Sequence, residues 1–237
     1  MREVTFYDTG FPYDQISELP GKLIVLEGTD GVGRSTQINL LRGWLEQEGY
    51  AVSDTGLTRS PLTGPGLDAA KIGHTFSPLT MALFYATDFA DRLENQIIPA
   101  LKAGFIVLSD RYFYASIVRD IVRGADPEWA RKLFGFALKP DMVLYMKADI
   151  ATIVARIVHG RGFNHWEAGM DIRCSDNLYD SFISYQSNLL ELYDQMAAEY
   201  EFITIDANKP VRTIFEELRQ NITTLFEKQS DENELHG

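Results

Sequence analysis

At 237 residues with an apolar fraction of 45%, the chain can fill the core of one sizeable α/β domain and is short for two independent ones. A formal net charge of −12 argues against a nucleic-acid backbone or an anionic membrane as partner, so an anionic substrate has to be met by a local cluster of basic side chains. The single cysteine, Cys174, excludes an internal disulfide, no Cys/His cluster has zinc spacing, and neither a membrane-length apolar run nor a signal-like N-terminus is present, which together point to the cytoplasm.

Residues 1–20 hold aromatics and acids without periodicity and end at Pro20-Gly21, which reads as an N-terminal arm ahead of a domain spanning 21–228. Lys22 to Glu27 is an apolar run of the kind buried in a parallel sheet, and it leads directly into a glycine-rich turn. From Ser35 to Gly49, Ile38, Leu41 and Leu45 recur at helical spacing and the pattern stops at glycine. A weak strand is expected at Ala51 to Asp54, then a Pro/Gly-rich loop from Thr58 to Gly66 and a long helical stretch from about Pro78 to Ala103. Phe105 to Ser109 forms a further buried-type strand ending in Asp110-Arg111-Tyr112, followed by helical patterns to about Leu138. Strands at Met142 to Met146 and Glu201 to Ile205 are separated by helices near 149–158 and 178–199, and a last helix of about 210–227 gives way to a polar tail, 229–237. Strands alternating with helices throughout imply an α/β fold with a mostly parallel sheet covered on both faces.

The turn Gly28-Thr29-Asp30-Gly31-Val32-Gly33-Arg34-Ser35-Thr36 lies between strand and helix. That is the context in which backbone N–H groups and a helix N-terminus cradle phosphate. Gly28, Gly31 and Gly33 supply the backbone freedom, and Ser35 stands where the motif places a magnesium-binding hydroxyl. Position 34 is arginine rather than the usual lysine. It keeps the charge but offers a planar fork on a bulkier end. Asp110, at a strand's carboxyl end, is placed to reach magnesium, and the adjacent Arg111 suits an acceptor phosphate.

Together these blocks resemble the thymidylate kinase family of P-loop nucleoside monophosphate kinases. The similarity runs from about Lys22 to Leu225 and includes Thr58-Arg59-Ser60-Pro61, Phe84-Tyr85-Ala86, Asp110-Arg111-Tyr112 with Ser116, Lys139 to Tyr145, and Ile205-Asp206-Ala207. The resemblance implies a P-loop NTPase three-layer fold with about five parallel strands, a helical lid over about 156–176, and a homodimer. It implies an enzyme that passes the ATP γ-phosphoryl group to a nucleoside monophosphate, most simply dTMP to dTDP, with Mg2+ bridging the donor phosphates. By position, Asp30, Val32, Thr36 and the loop glycines bind donor phosphates, Arg34 and Arg161 join Asp110 and Arg111 in catalysis, and Ser35 and Asp110 hold the metal. Arg59, Phe84, Asp88, Arg111, Tyr112, Ser116 and Asp120 would form the acceptor site, with Phe84 stacking on the base.

Departures gather on the acceptor side. Ser60 stands in place of a family glutamate, Thr87-Asp88-Phe89 occupies the region of a usual arginine, and Val118-Arg119-Asp120 aligns with Ala-Tyr-Gln. Two alternatives stay open: a kinase of the same fold with another acceptor, favoured by Asp88 and Asp120, or a nucleotide-binding protein with little catalysis, motivated by Arg34.

Overall fold

The structure, a computed structural model, describes residues 4–8, 10, 16, 19–73 and 76–235, with side chains to 227. Five strands, β1 (Lys22–Glu27), β2 (Val52–Gly56), β3 (Ile106–Asp110), β4 (Met142–Lys147) and β5 (Ile203–Asp206), form one parallel sheet in the order β2-β3-β1-β4-β5. The alternation of strand side chains explains the double cover. Leu23, Val25 and Val107 enter one core, whereas Ile24, Leu26, Ile106 and Leu108 enter the other.

The helices are α1 (Arg34–Gln47), α2 (Gly64–Gly73), α3 (Pro78–Arg92), α4 (Ile98–Lys102), α5 (Phe113–Val122), α6 (Pro127–Leu133), α7 (Ile150–His159), α8 (Leu178–Glu199) and α9 (Val211–Leu235). Helix α2 begins inside the stretch expected as a Pro/Gly-rich loop, because Pro65 and its flanking glycines lie in the first turn, where a missing N–H costs little. The long helix expected to Ala103 is interrupted by a π-turn at Leu93–Ile97, just ahead of Pro99, which cannot donate to the preceding turn. Helix α9 runs on through the polar residues to Leu235. In the arm, Phe6 bridges Leu138, and Tyr7 and Asp8 donate backbone N–H groups to Ala137 and Gly135, at 3.2 and 2.9 Å.

Register places the site. Leu26 lies opposite Asp110 and Glu27 opposite Tyr145, so the turn after β1 and the end of β3 emerge side by side at the carboxyl edge of the sheet, at the central strand where the strand order reverses. Between α7 and α8, residues 160–177 form a succession of turns and bends lying over that edge.

Candidate active site

Gly28 opens the turn at φ +145°, and a Cβ there would stand 2.5 Å from the Met146 carbonyl oxygen, so only glycine fits. Gly33 caps α1 at φ 94°. Arg34, only 7% exposed, turns back into the loop. Its Nη1 donates to the carbonyls of Gly28 (2.6 Å) and Thr29, and its Nε to Asp110 Oδ1 at 2.8 Å. Ser35 Oγ donates to the other Asp110 oxygen at 2.9 Å. Burial works against charge on both partners. The Arg34 and Arg111 guanidiniums nonetheless hold the Asp110 carboxyl below its usual range, and Asp110 with Asp30 raises Arg34. Ser35 and Asp110, both expected at the metal, thus stand within hydrogen-bonding distance of each other, while Arg34 is a brace as well as a charge. The hydroxyl and carboxylate are the hard oxygen donors that suit Mg2+, an ion that takes few protein ligands and keeps water or substrate phosphate for the rest.

Arg111 sits at φ 69°, a backbone conformation that costs a non-glycine residue free energy and aims its side chain across the sheet edge. It contacts Asp30, which also receives Arg119 Nη2 at 3.2 Å. Burial would raise the Asp30 carboxyl, but Arg111, Arg119 and Arg34 overcome it and hold it far below the ordinary value. Glu27, wholly buried beneath, accepts from the Tyr112 N–H at 2.7 Å and the Tyr193 hydroxyl at 2.9 Å, and burial pushes its carboxyl up.

Two cavities meet here. One, of about 540 Å3, is lined by the phosphate loop, Asp110, Arg156 and Arg161. The other, of about 410 Å3, is lined by Thr58, Lys71, Tyr85, Arg119, His165 and Trp166 among others. Asp30, Arg111 and Glu167 line both and form the wall between them. Glu167 takes Arg161 at 2.6 Å, and Arg156 spans from Val32 O to Ala207 O at 3.2 and 2.8 Å. Arg111 Nε and Trp166 Nε1 are buried donors without a protein partner beside the second cavity.

Several expected acceptor residues lie elsewhere. Phe84 packs on Phe76 with ring centroids 4.6 Å apart, and Tyr85 lines the cavity instead, with Lys71 Nζ 5.3 Å from its ring centre. Adjacent helical residues diverge by about 100°, so only one of the two can face a given cavity. The same rotation separates Arg119, which faces the cavity, from Asp120, which lines a different one. Arg59 pairs with Asp54 at 2.9 Å outside the cavity. Tyr112 is a core residue whose hydroxyl donates to Leu138 O at 3.0 Å, and Ser116 is buried in α5 with its Oγ unpartnered. Asp88 is fully buried, accepting from Thr58 N and Ser60 N, both at 3.1 Å, from Thr63 Oγ1 at 3.3 Å and from Arg92 Nε at 2.8 Å. Its place is under the loop before α2. Lys71, Tyr85 and Arg119 were missed by sequence reasoning. The spacing of Met81, Tyr85, Asp88 and Arg92 could have marked Tyr85 as inward-facing, and an Arg-Asp pair inside the apolar run Ile117 to Val122 marks the segment as functional.

Burial pushes the Asp120 carboxyl up to about 7, against Arg123 and Arg119. An acid raised in the folded state gives up its proton more readily when unfolded, so it costs stability as pH rises from about 4 to 7, and the cost stays above that. Asp120→Asn is therefore expected to raise the unfolding free energy by about 3 kcal/mol at pH 8 and to leave it nearly unchanged at pH 4. Equal denaturation midpoints for the two proteins at pH 8 would contradict this.

Residues 26–218 match the thymidylate kinase family. The chain is 38% identical over 202 residues to a probable thymidylate kinase 2 of Saccharolobus solfataricus, covering 84% of this chain and 94% of that one. It is 35% identical over 217 residues to a probable thymidylate kinase of Thermococcus kodakarensis, covering 86% and 98%. To a thymidylate kinase of Caldicellulosiruptor saccharolyticus it is 30% identical over 220 residues, covering 89% and 100%.

Proposed function

The chain belongs to the thymidylate kinase family, and from that premise we propose that it transfers the γ-phosphoryl group of ATP to a nucleoside monophosphate, converting dTMP to dTDP. The observation that carries the reading is the pair of cavities sharing Asp30, Arg111 and Glu167, which suits two phosphorylated substrates meeting at one wall. The loop N–H groups and the start of α1 bind donor phosphates, and Arg34 Nη2, the nitrogen of its fork not committed to the loop or to Asp110, faces the same charge. Ser35 and Asp110 would hold Mg2+, which would supply neutralisation of donor-phosphate charge. Arg111, with Arg119 and Lys71, meets the acceptor phosphate, and Tyr85 offers a ring to the base. Arg161 reaches the transferred group once Glu167 releases it. Phosphoryl transfer asks for positioning and charge neutralisation, which this set of groups supplies.

An acceptor chosen for hydroxyls or amines loses the support of Asp88 and Asp120, which both turn away from the cavity, while Lys71, Arg111 and Arg119 line it. The test is ADP release with Mg-ATP across a panel of nucleosides and monophosphates, with product mass. dTMP is expected to lead by at least tenfold, and preference for another acceptor would overturn the substrate assignment. The exposed apolar side chains of Leu62 (72%), Ile72 (83%) and Leu83 around α2 and α3 support pairing with a second copy. Light scattering on the same preparation should then give twice 26.8 kDa, and a monomer mass would refute the pairing.

A further inference from the structure

A third cavity, of about 240 Å3, opens between the first turns of α3 and the end of α5, away from the wall shared by the other two. Pro78, Leu79 and Ala82 form one side, Trp129 of α6 another, and Asp120 with Arg123 the floor. Asp120 is 8% exposed, and its Oδ2 is buried without a partner. The two arginines that flank it are both committed elsewhere. Arg119 reaches Asp30, while Arg123 pairs with Asp171 at 2.8 and 3.2 Å and lies 4.1 Å from the Trp166 ring centre.

A carboxyl kept in an apolar pocket without a partner costs the fold stability, and such a group calls for an explanation. Here the pocket around it has the parts of a ligand site: an aromatic wall, aliphatic sides and, at the bottom, one acceptor group beside the Arg123 guanidinium, whose charge Asp171 already pairs. A carboxylate is matched best by two adjacent N–H donors on one planar edge, which engage both oxygens at once, and a planar body also suits the Trp129 side. We propose that this cavity is a second binding site, for a small planar molecule presenting an amidine-type pair of N–H donors to Asp120. The site is independent of the nucleotide cavities in its lining, yet Arg123 ties it to the turns carrying Trp166 and Asp171, so an occupant sits one side chain away from the segment over the active site.

Such a donor edge occurs on amidinium or guanidinium compounds and on the neutral guanine base. Isothermal titration of the full chain with benzamidine in one arm and guanosine in the other distinguishes them, each repeated with saturating dTMP and ADP. One-to-one binding of at least one probe is expected, undiminished by the nucleotides and at least tenfold weaker in Asp120→Asn. Trp129→Ala makes the same comparison at the opposite wall, with about fivefold weakening expected. Unchanged affinity in the variant tested, displacement by dTMP or ADP, or no binding of either probe, as when a second copy seals the cavity, would each overturn the proposal.

Discussion

Arg34→Ala is expected to lower kcat for ATP-dependent transfer by about a thousandfold while the protein stays folded. Three contributions are lost together. The Nη1 bridge to the Gly28 and Thr29 carbonyls holds the first half of the phosphate loop, the Nε bond orients Asp110 beside Ser35, and the remaining nitrogen faces the donor cavity. Each is a matter of preorganisation, so removing them leaves the loop glycines to sample conformations in which fewer N–H groups converge. Arg34→Lys separates bracing from charge. Lysine keeps the charge and offers no planar fork, so it is expected to recover part of the rate and to leave the remainder lost with the brace. Steady-state ADP release measures both variants, and turnover near that of the parent in Arg34→Ala would refute the role assigned to the side chain.

The largest effect on stability is expected from Asp88→Ala, a loss of about 4 kcal/mol in unfolding free energy. Asp88 and Arg92 are both 0% exposed, and Arg92 Nη1 and Nη2 already lack partners. Alanine would therefore strand an entire guanidinium in the core, together with the backbone N–H groups of Thr58 and Ser60. Replacing both partners with apolar residues of similar volume, Asp88→Leu with Arg92→Met, should recover the share of the loss that belongs to the unpaired charge and leave the share owed to the unbonded Thr58 and Ser60 N–H groups. Urea denaturation at neutral pH measures it, and a change below about 1 kcal/mol would show that water or another group takes over for Asp88.

What was legible in the chain and what was not follow from distance along it. The run Lys22 to Glu27, the glycines after it and the spacing of Ile38, Leu41 and Leu45 are local signals, and the strand, loop and helix formed where they pointed. Asp110 likewise stands at its strand end and meets Ser35. Helix α2 stayed hidden because Gly64, Pro65 and Gly66 carry the composition of a loop while occupying a helix start. Phe84 and Asp120 are each one residue from the side chain that faces the cavity, and a single-residue uncertainty in helix register is enough to exchange them with Tyr85 and Arg119. Asp88 was misassigned for another reason: its partners Thr58, Ser60 and Thr63 lie 25 to 30 positions away, and no periodicity records such pairings.

The wall built from Asp30, Arg111 and Glu167 also has a thermodynamic meaning. An occupant of either cavity meets groups that the other cavity also uses, so the two binding events share one set of ion pairs and are linked rather than independent. Linkage is reciprocal: whatever factor the donor imposes on acceptor affinity, the acceptor imposes on the donor. Dissociation constants measured for each ligand alone therefore do not sum to the free energy of the ternary complex. The difference between that sum and the measured value is the coupling free energy, to which these three shared side chains contribute.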